Sequence, residues 1–148
     1  MKKMILLLSL CAILFSTHVI AQENSDVWRL EQLMAPSDLA SVIKNPSVNA
    51  PLIISVGPSG LIKGAINIGP TNEKENLKKL KQLLLNENRD REIVIYCGCC
   101  PFKNCPNVRP AFSLLNSMRF TNHKLLDLPH NLKADWINYG YPMNKDSL

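Results

Sequence analysis

Ile93-Val94-Ile95-Tyr96-Cys97-Gly98-Cys99-Cys100 is the stretch whose reading decides the fold. Three β-branched residues and an aromatic follow the charged residues 89–92, which is the strongest strand pattern in the chain. The strand runs straight into Cys97, so that thiol is expected at its carboxyl end. Alternation along the strand sends the Tyr96 ring to the face opposite Cys97.

Working outward, the flanking segments alternate between helix and strand patterns. Pro36, Ser37 and Asp38 open a short helix carrying Leu39, Val42 and Ile43 on one side, stopped by Asn45-Pro46. Residues 52–56 form a compact apolar run closed by Gly57-Pro58, the pattern of a strand covered on both faces. Gly60-Leu61-Ile62-Lys63-Gly64-Ala65-Ile66-Asn67-Ile68 reads as a turn and a second short strand. In residues 72–85, Leu77, Leu80, Leu83 and Leu84 recur at helical spacing with lysines between them. After the cysteine stretch come a helix over 109–118, a strand over 124–128 and a last helix over 132–138. This succession predicts an α/β domain with a mostly parallel sheet and helices on its faces.

Length and composition fit one such domain. The chain has 148 residues, 46% apolar and 20% charged, too many apolar residues for disorder and too few for several membrane spans. Lys2 and Lys3 precede the apolar run 4–15, and Val19 and Ala21 stand at −3 and −1 of a cleavage site before Gln22. Residues 1–21 are therefore read as a secretory signal peptide, and residues 22–148 as the domain. The apolar run is shorter than the ~20 residues needed to span a bilayer, so no stable membrane insertion is expected after cleavage. Removing the two lysines lowers the net charge from +5 to +3, too weak and dispersed for nucleic acid. An exported protein, periplasmic or extracellular, is expected. No pattern in the sequence encodes its oligomeric state.

Four cysteines remain after cleavage, at 97, 99, 100 and 105. Their confinement to nine residues separates them from a disulfide framework, which spreads its cysteines along a chain, and marks a site. In open parallel sheets the ligand sits beyond the carboxyl ends of the strands, where Cys97 lies. A thiol between a strand end and a helix start meets backbone N–H groups and the positive end of the helix dipole, which favour thiolate. Cys97 is thus the candidate nucleophile. Arg109, Lys103 and the loop residues Gly98, Cys99 and Cys100 are the candidate binding residues for a small sulfur-containing anion or thiol.

Over nearly all of residues 22–148 the chain resembles the single-domain rhodanese (sulfurtransferase) family. The likeness rests on Leu52-Ile53-Ile54-Ser55-Val56, on Gly60 to Asn67, on Ile93 to Cys97, and on Asp135-Trp136-Ile137-Asn138-Tyr139-Gly140-Tyr141-Pro142. It implies a five-stranded, mostly parallel sheet with helices on both faces, Cys97 as the catalytic cysteine, and sulfane-sulfur transfer from a donor such as thiosulfate to a thiol acceptor through a persulfide. It requires neither a metal nor an organic cofactor. The active loop is enlarged relative to that family, with eleven residues between Cys97 and Arg109, and Leu61 stands where a histidine is usual.

The same residues admit other readings. Cys97-Gly98-Cys99-Cys100 contains the CxxC of a thiol-disulfide redox protein, and Cys99, Cys100 or Cys105 can resolve an oxidised Cys97 or form a disulfide. Four cysteines also suffice for a metal-binding module, and a rhodanese-like domain can serve as a non-catalytic binder. His123 and His130 are read as structural, and Trp136, Tyr139 and Tyr141 as core and cleft-edge packing.

Overall fold

A computed structural model describes residues 27–47 and 49–145. The expected signal peptide lies outside the described residues. Five strands, β1 (Leu33–Met34), β2 (Leu52–Ser55), β3 (Ile66–Asn67), β4 (Ile93–Tyr96) and β5 (His123–Leu126), form one sheet in the order β1-β5-β4-β2-β3. Every pairing between them is parallel. The helices are α1 (Pro36–Lys44), α2 (Lys74–Leu84), α3 (Val108–Ser117) and α4 (Leu132–Asp135).

β4 is central because it has nothing to offer solvent. All four residues are buried, and it pairs with β2 on one side and β5 on the other, Ile54 opposite Ile95 and Ile95 opposite Leu125. Its alternation divides the core. Ile93, Ile95 and Cys97 pack with Leu80 and Leu84 of α2 and with Ala111, Phe112 and Leu115 of α3. Val94 and Tyr96 point the other way, to Leu39 of α1, Leu132 of α4 and Trp136. Each such aliphatic side chain, fully withdrawn from water, contributes about 1.5–3 kcal/mol toward offsetting chain entropy.

The fully buried Trp136 and Tyr96 also fasten the loops of this second face. The Trp136 indole N–H donates to the Pro142 carbonyl at 3.2 Å. The Tyr96 hydroxyl accepts from Ile62 N–H at 2.9 Å and donates to the Gly60 carbonyl at 3.3 Å, holding the glycine-bounded turn against the sheet.

Several boundaries differ from the sequence expectation. β1 has only two residues, too few to show a period, and exists because β5 offers it an edge. The second strand shrinks to the exposed edge pair Ile66–Asn67. α3 starts at Val108, one residue early, which places Arg109 inside its first turn and Pro110 where the helix needs no N–H partner. β5 covers His123–Leu126 instead of 124–128. The last helix stops at Asp135 because Trp136, at φ −133°, leaves helical geometry to bury its indole, and a 3-10 turn, Ile137–Tyr139, follows.

Candidate active site

β2 and β4 are neighbours, so the loops leaving their carboxyl ends meet. Gly57, in the loop after β2, lies directly against the end of β4. A Cβ built on it would sit 2.3 Å from Cys97 Sγ and 2.8 Å from the Cys97 carbonyl oxygen, so only glycine permits this approach. Gly98 turns the chain at φ +81°, a left-handed conformation that bends the loop back over Cys97. The loop is tied down at two points: Leu132 N–H donates to the Gly98 carbonyl at 2.8 Å, and Phe102 N–H to the Leu128 carbonyl at 3.2 Å. Cys99 and Cys100 lie between those ties, and a 3-10 turn, Phe102–Asn104, leads on to Cys105.

This path gathers three of the four thiols. Cys97, Cys99 and Cys105 place their sulfurs within 4.8 Å of one another, with Cys97 and Cys99 3.2 Å apart. Cys100 Sγ is 3.4 Å from Cys99 Sγ, outside the trio. All four are free thiols. The trio is a set of soft donors able to ligate a thiophilic ion, but no fourth Cys, His, Asp or Glu among the described residues completes it within that spacing.

The electrostatics single out Cys97. A hydrogen bond from the Cys105 thiol is the largest influence on it, opposed by burial and reinforced by the Asn107 side-chain amide and by the backbone N–H and thiol of Cys99. Together they lower its pKa to about 5, which makes it a thiolate at neutral pH. The neighbours move the opposite way. Partial loss of water around its sulfur, then hydrogen bonds to Cys97 and Cys100, pushes Cys99 up to about 12 although the residue as a whole is exposed. Donation to Cys97, then burial, raises Cys105.

Asn107, which sequence reasoning passed over, is the fixed donor of this set. It is buried, its Nδ2 donates to Cys97 Sγ at 3.3 Å, and its Oδ1 accepts from Asn72 N–H at 3.4 Å, which sets the orientation of the amide. The Thr71 hydroxyl donates to its carbonyl. Its place between the last cysteine and the expected helix start was visible in the sequence, but its contact with the thiol was not.

The helix start acts differently from the expectation. The amides of Asn107 and Val108 hydrogen-bond to Cys105, not Cys97, so α3 reaches the nucleophile through the Cys105 thiol and the Asn107 side chain. Cys97 is also less open than a thiol at a pocket mouth, being only 3% exposed. Its sulfur is nevertheless surrounded by polar donors, and Cys99 beside it is exposed.

The expected cations have contacts of their own beside the loop. The Arg109 guanidinium lies over the Trp28 ring at 4.9 Å and donates from Nη2 to the Lys103 carbonyl at 3.1 Å. Lys103 is exposed, and with Trp28, Arg29, Leu33 and Phe102 it lines a cavity of about 520 Å³ that Cys97 does not border. His123 is buried under Phe112, and burial lowers its pKa. His130 is exposed and paired with Asp135.

A parallel five-stranded sheet layered by helices, with the cysteine loop after its central strand, is the rhodanese-like α/β fold. Among solved structures, the chain is similar to the single-domain sulfurtransferase RDL2 of Saccharomyces cerevisiae, with a TM-score of 0.52 and 15% identity over 74% of this chain and 90% of that one. No protein-family model and no curated protein matches the sequence. Among the described residues, no helix is long and apolar enough to cross a membrane.

Proposed function

We propose that this domain is a sulfurtransferase that carries a sulfane sulfur on Cys97. The observation that carries the reading is the ring of donors at the end of β4, which lowers the Cys97 thiol to about 5. The rhodanese-like fold, shared with a sulfurtransferase, supports it.

In the proposed reaction the Cys97 thiolate attacks the outer sulfur of thiosulfate. The sulfur–sulfur bond breaks, sulfite leaves with the electron pair, and a Cys97 persulfide remains. An acceptor such as cyanide or a thiol then takes the outer sulfur and restores the thiolate. The Asn107 amide and the Cys99 N–H hold negative charge on the inner sulfur in the free enzyme and as it departs in the second step. The donor approaches from the side of the exposed Cys99, and Arg109, supported on Trp28, supplies positive charge at the helix start. Export with removal of residues 1–21 belongs to the same proposal, and amino-terminal sequencing of the protein from its producing cells checks it.

The test is thiocyanate production from thiosulfate and cyanide. The wild type is expected to turn over, and Cys97→Ser to lose activity to the uncatalysed background. Equal rates in the two proteins would remove Cys97 from the mechanism.

A further inference from the structure

The second thiol of the cluster stands where a resolving nucleophile is needed. Cys99 Sγ is 3.2 Å from Cys97 Sγ, within the ~3–3.5 Å separation of a near-attack arrangement. When Cys97 carries a persulfide, its inner sulfur is still the Sγ anchored at the end of β4 with Gly57 behind it. Cys99 therefore addresses the inner sulfur.

We propose that Cys99 resolves the Cys97 persulfide internally, so that the domain reduces a sulfane sulfur to hydrogen sulfide and is left with a Cys97–Cys99 disulfide. This rests on the persulfide chemistry proposed above and adds an activity to it. The step balances as written: the Cys97 persulfide and the Cys99 thiol give the Cys97–Cys99 disulfide and one hydrogen sulfide. The Cys99–Cys97 sulfur bond forms and the persulfide bond breaks. The negative charge that Cys97 held against Cys99 in the free enzyme now sits on the outer sulfur, which takes up the Cys99 proton as it leaves with the bonding pair. The Cys99 thiol is oxidised and the outer sulfur reduced. A dithiol reductant of the thiol-disulfide exchange class is then required to reopen the disulfide.

Three features favour Cys99 over its neighbours. Cys105 is buried and anchored by the amides of Asn107 and Val108, an arrangement suited to donating a hydrogen bond to Cys97 rather than to moving. Cys100 lies beyond Cys99 and outside the compact trio. Cys99 is exposed, on the untied part of the loop between Gly98 and Phe102, and the positive φ of Gly98 already brings thiols two residues apart to within about 1.2 Å of a disulfide bond of ~2.05 Å.

The experiment incubates the full, reduced protein anaerobically with thiosulfate, without cyanide or added thiol, so that the first step releases sulfite and only the second can release sulfide. Sulfide is measured alongside intact mass. The wild type is expected to release about one sulfide per chain and to lose two mass units, with a linkage between Cys97 and Cys99 in its peptides. Cys99→Ser is expected to retain the extra sulfur on Cys97 and release no sulfide, whereas Cys100→Ser, outside the compact trio, is expected to form the same Cys97–Cys99 linkage. A wild type that holds the extra sulfur without releasing sulfide overturns the proposal while leaving sulfur carriage intact, and so does undiminished release by Cys99→Ser. If neither the wild type nor folded Cys99→Ser takes up sulfur or releases sulfite or sulfide, the sulfurtransferase reading itself fails, and this inference with it.

Discussion

Replacing Asn107 with alanine removes the one donor to Cys97 that is neither a thiol nor part of the loop backbone. Its Nδ2 lies 3.3 Å from the sulfur, with the amide oriented by Asn72 N–H, so the bond is a fixed contact of a buried side chain. A hydrogen bond to a charged group contributes about 1.5–3 kcal/mol, and sulfur, a weaker acceptor than oxygen, places this one at the lower end. At about 1.4 kcal/mol per pKa unit, its loss raises Cys97 by about one unit, from about 5 toward about 6. The sign follows from the thiolate being the form that accepts the bond. Alkylation of Cys97 by iodoacetamide, followed by peptide mass spectrometry across a pH series of about 4–8, reads the midpoint directly. At a pH of about 5.5 the ionised fraction falls from about three-quarters to about one-quarter, a roughly threefold loss of rate at that pH. Asn107→Asp, close in shape, raises the midpoint further because its carboxylate adds a second negative charge. A folded Asn107→Ala protein whose midpoint stays near 5 would refute the role given to this amide.

Gly57→Ala is expected to destabilise the domain by about 1–3 kcal/mol and to suppress Cys97 alkylation, since its Cβ meets both the sulfur and an immovable backbone oxygen; urea unfolding and alkylation rates measure the two effects. Tyr96→Phe leaves the Ile62 N–H without its buried partner and is expected to cost about 1–3 kcal/mol in the same urea assay, with the Cys97 midpoint unmoved because the ring faces the other layer. Arg109→Ala is expected to raise the KM for thiosulfate several-fold with a smaller change in kcat, and an unchanged KM would dismiss its part in anion attraction.

The parts of this architecture visible in the sequence are those written in local patterns. The isoleucine-rich β4, the leucine stripe of α2 and the burial of Trp136 follow from periodicity and composition, because each element must cover an apolar face. Placing Cys97 and Tyr96 on opposite layers needed only strand alternation. β1 escaped because a two-residue edge strand is specified by its distant partner, Leu125 opposite Leu33, and not by its own residues. The site divides in the same way. Cys97 was legible as the residue ending a strand, whereas Gly57 and Asn107 come to it only through the adjacency of β2 and β4 and the packing of α3. Arg109 looked directed at the loop because a cation at a helix start usually serves an anion. The early start of α3 at Val108 puts it in reach of Trp28, a contact no spacing encodes.

The most direct test of the central claim is to locate sulfur on the protein during a single turnover. Cys99→Ser, treated with one equivalent of thiosulfate and digested under acidic conditions, is predicted to carry one additional sulfur atom on Cys97, with one sulfite released per chain and the addition reversed by cyanide. An unmodified Cys97, or sulfur found equally on Cys100 and Cys105, would contradict the account.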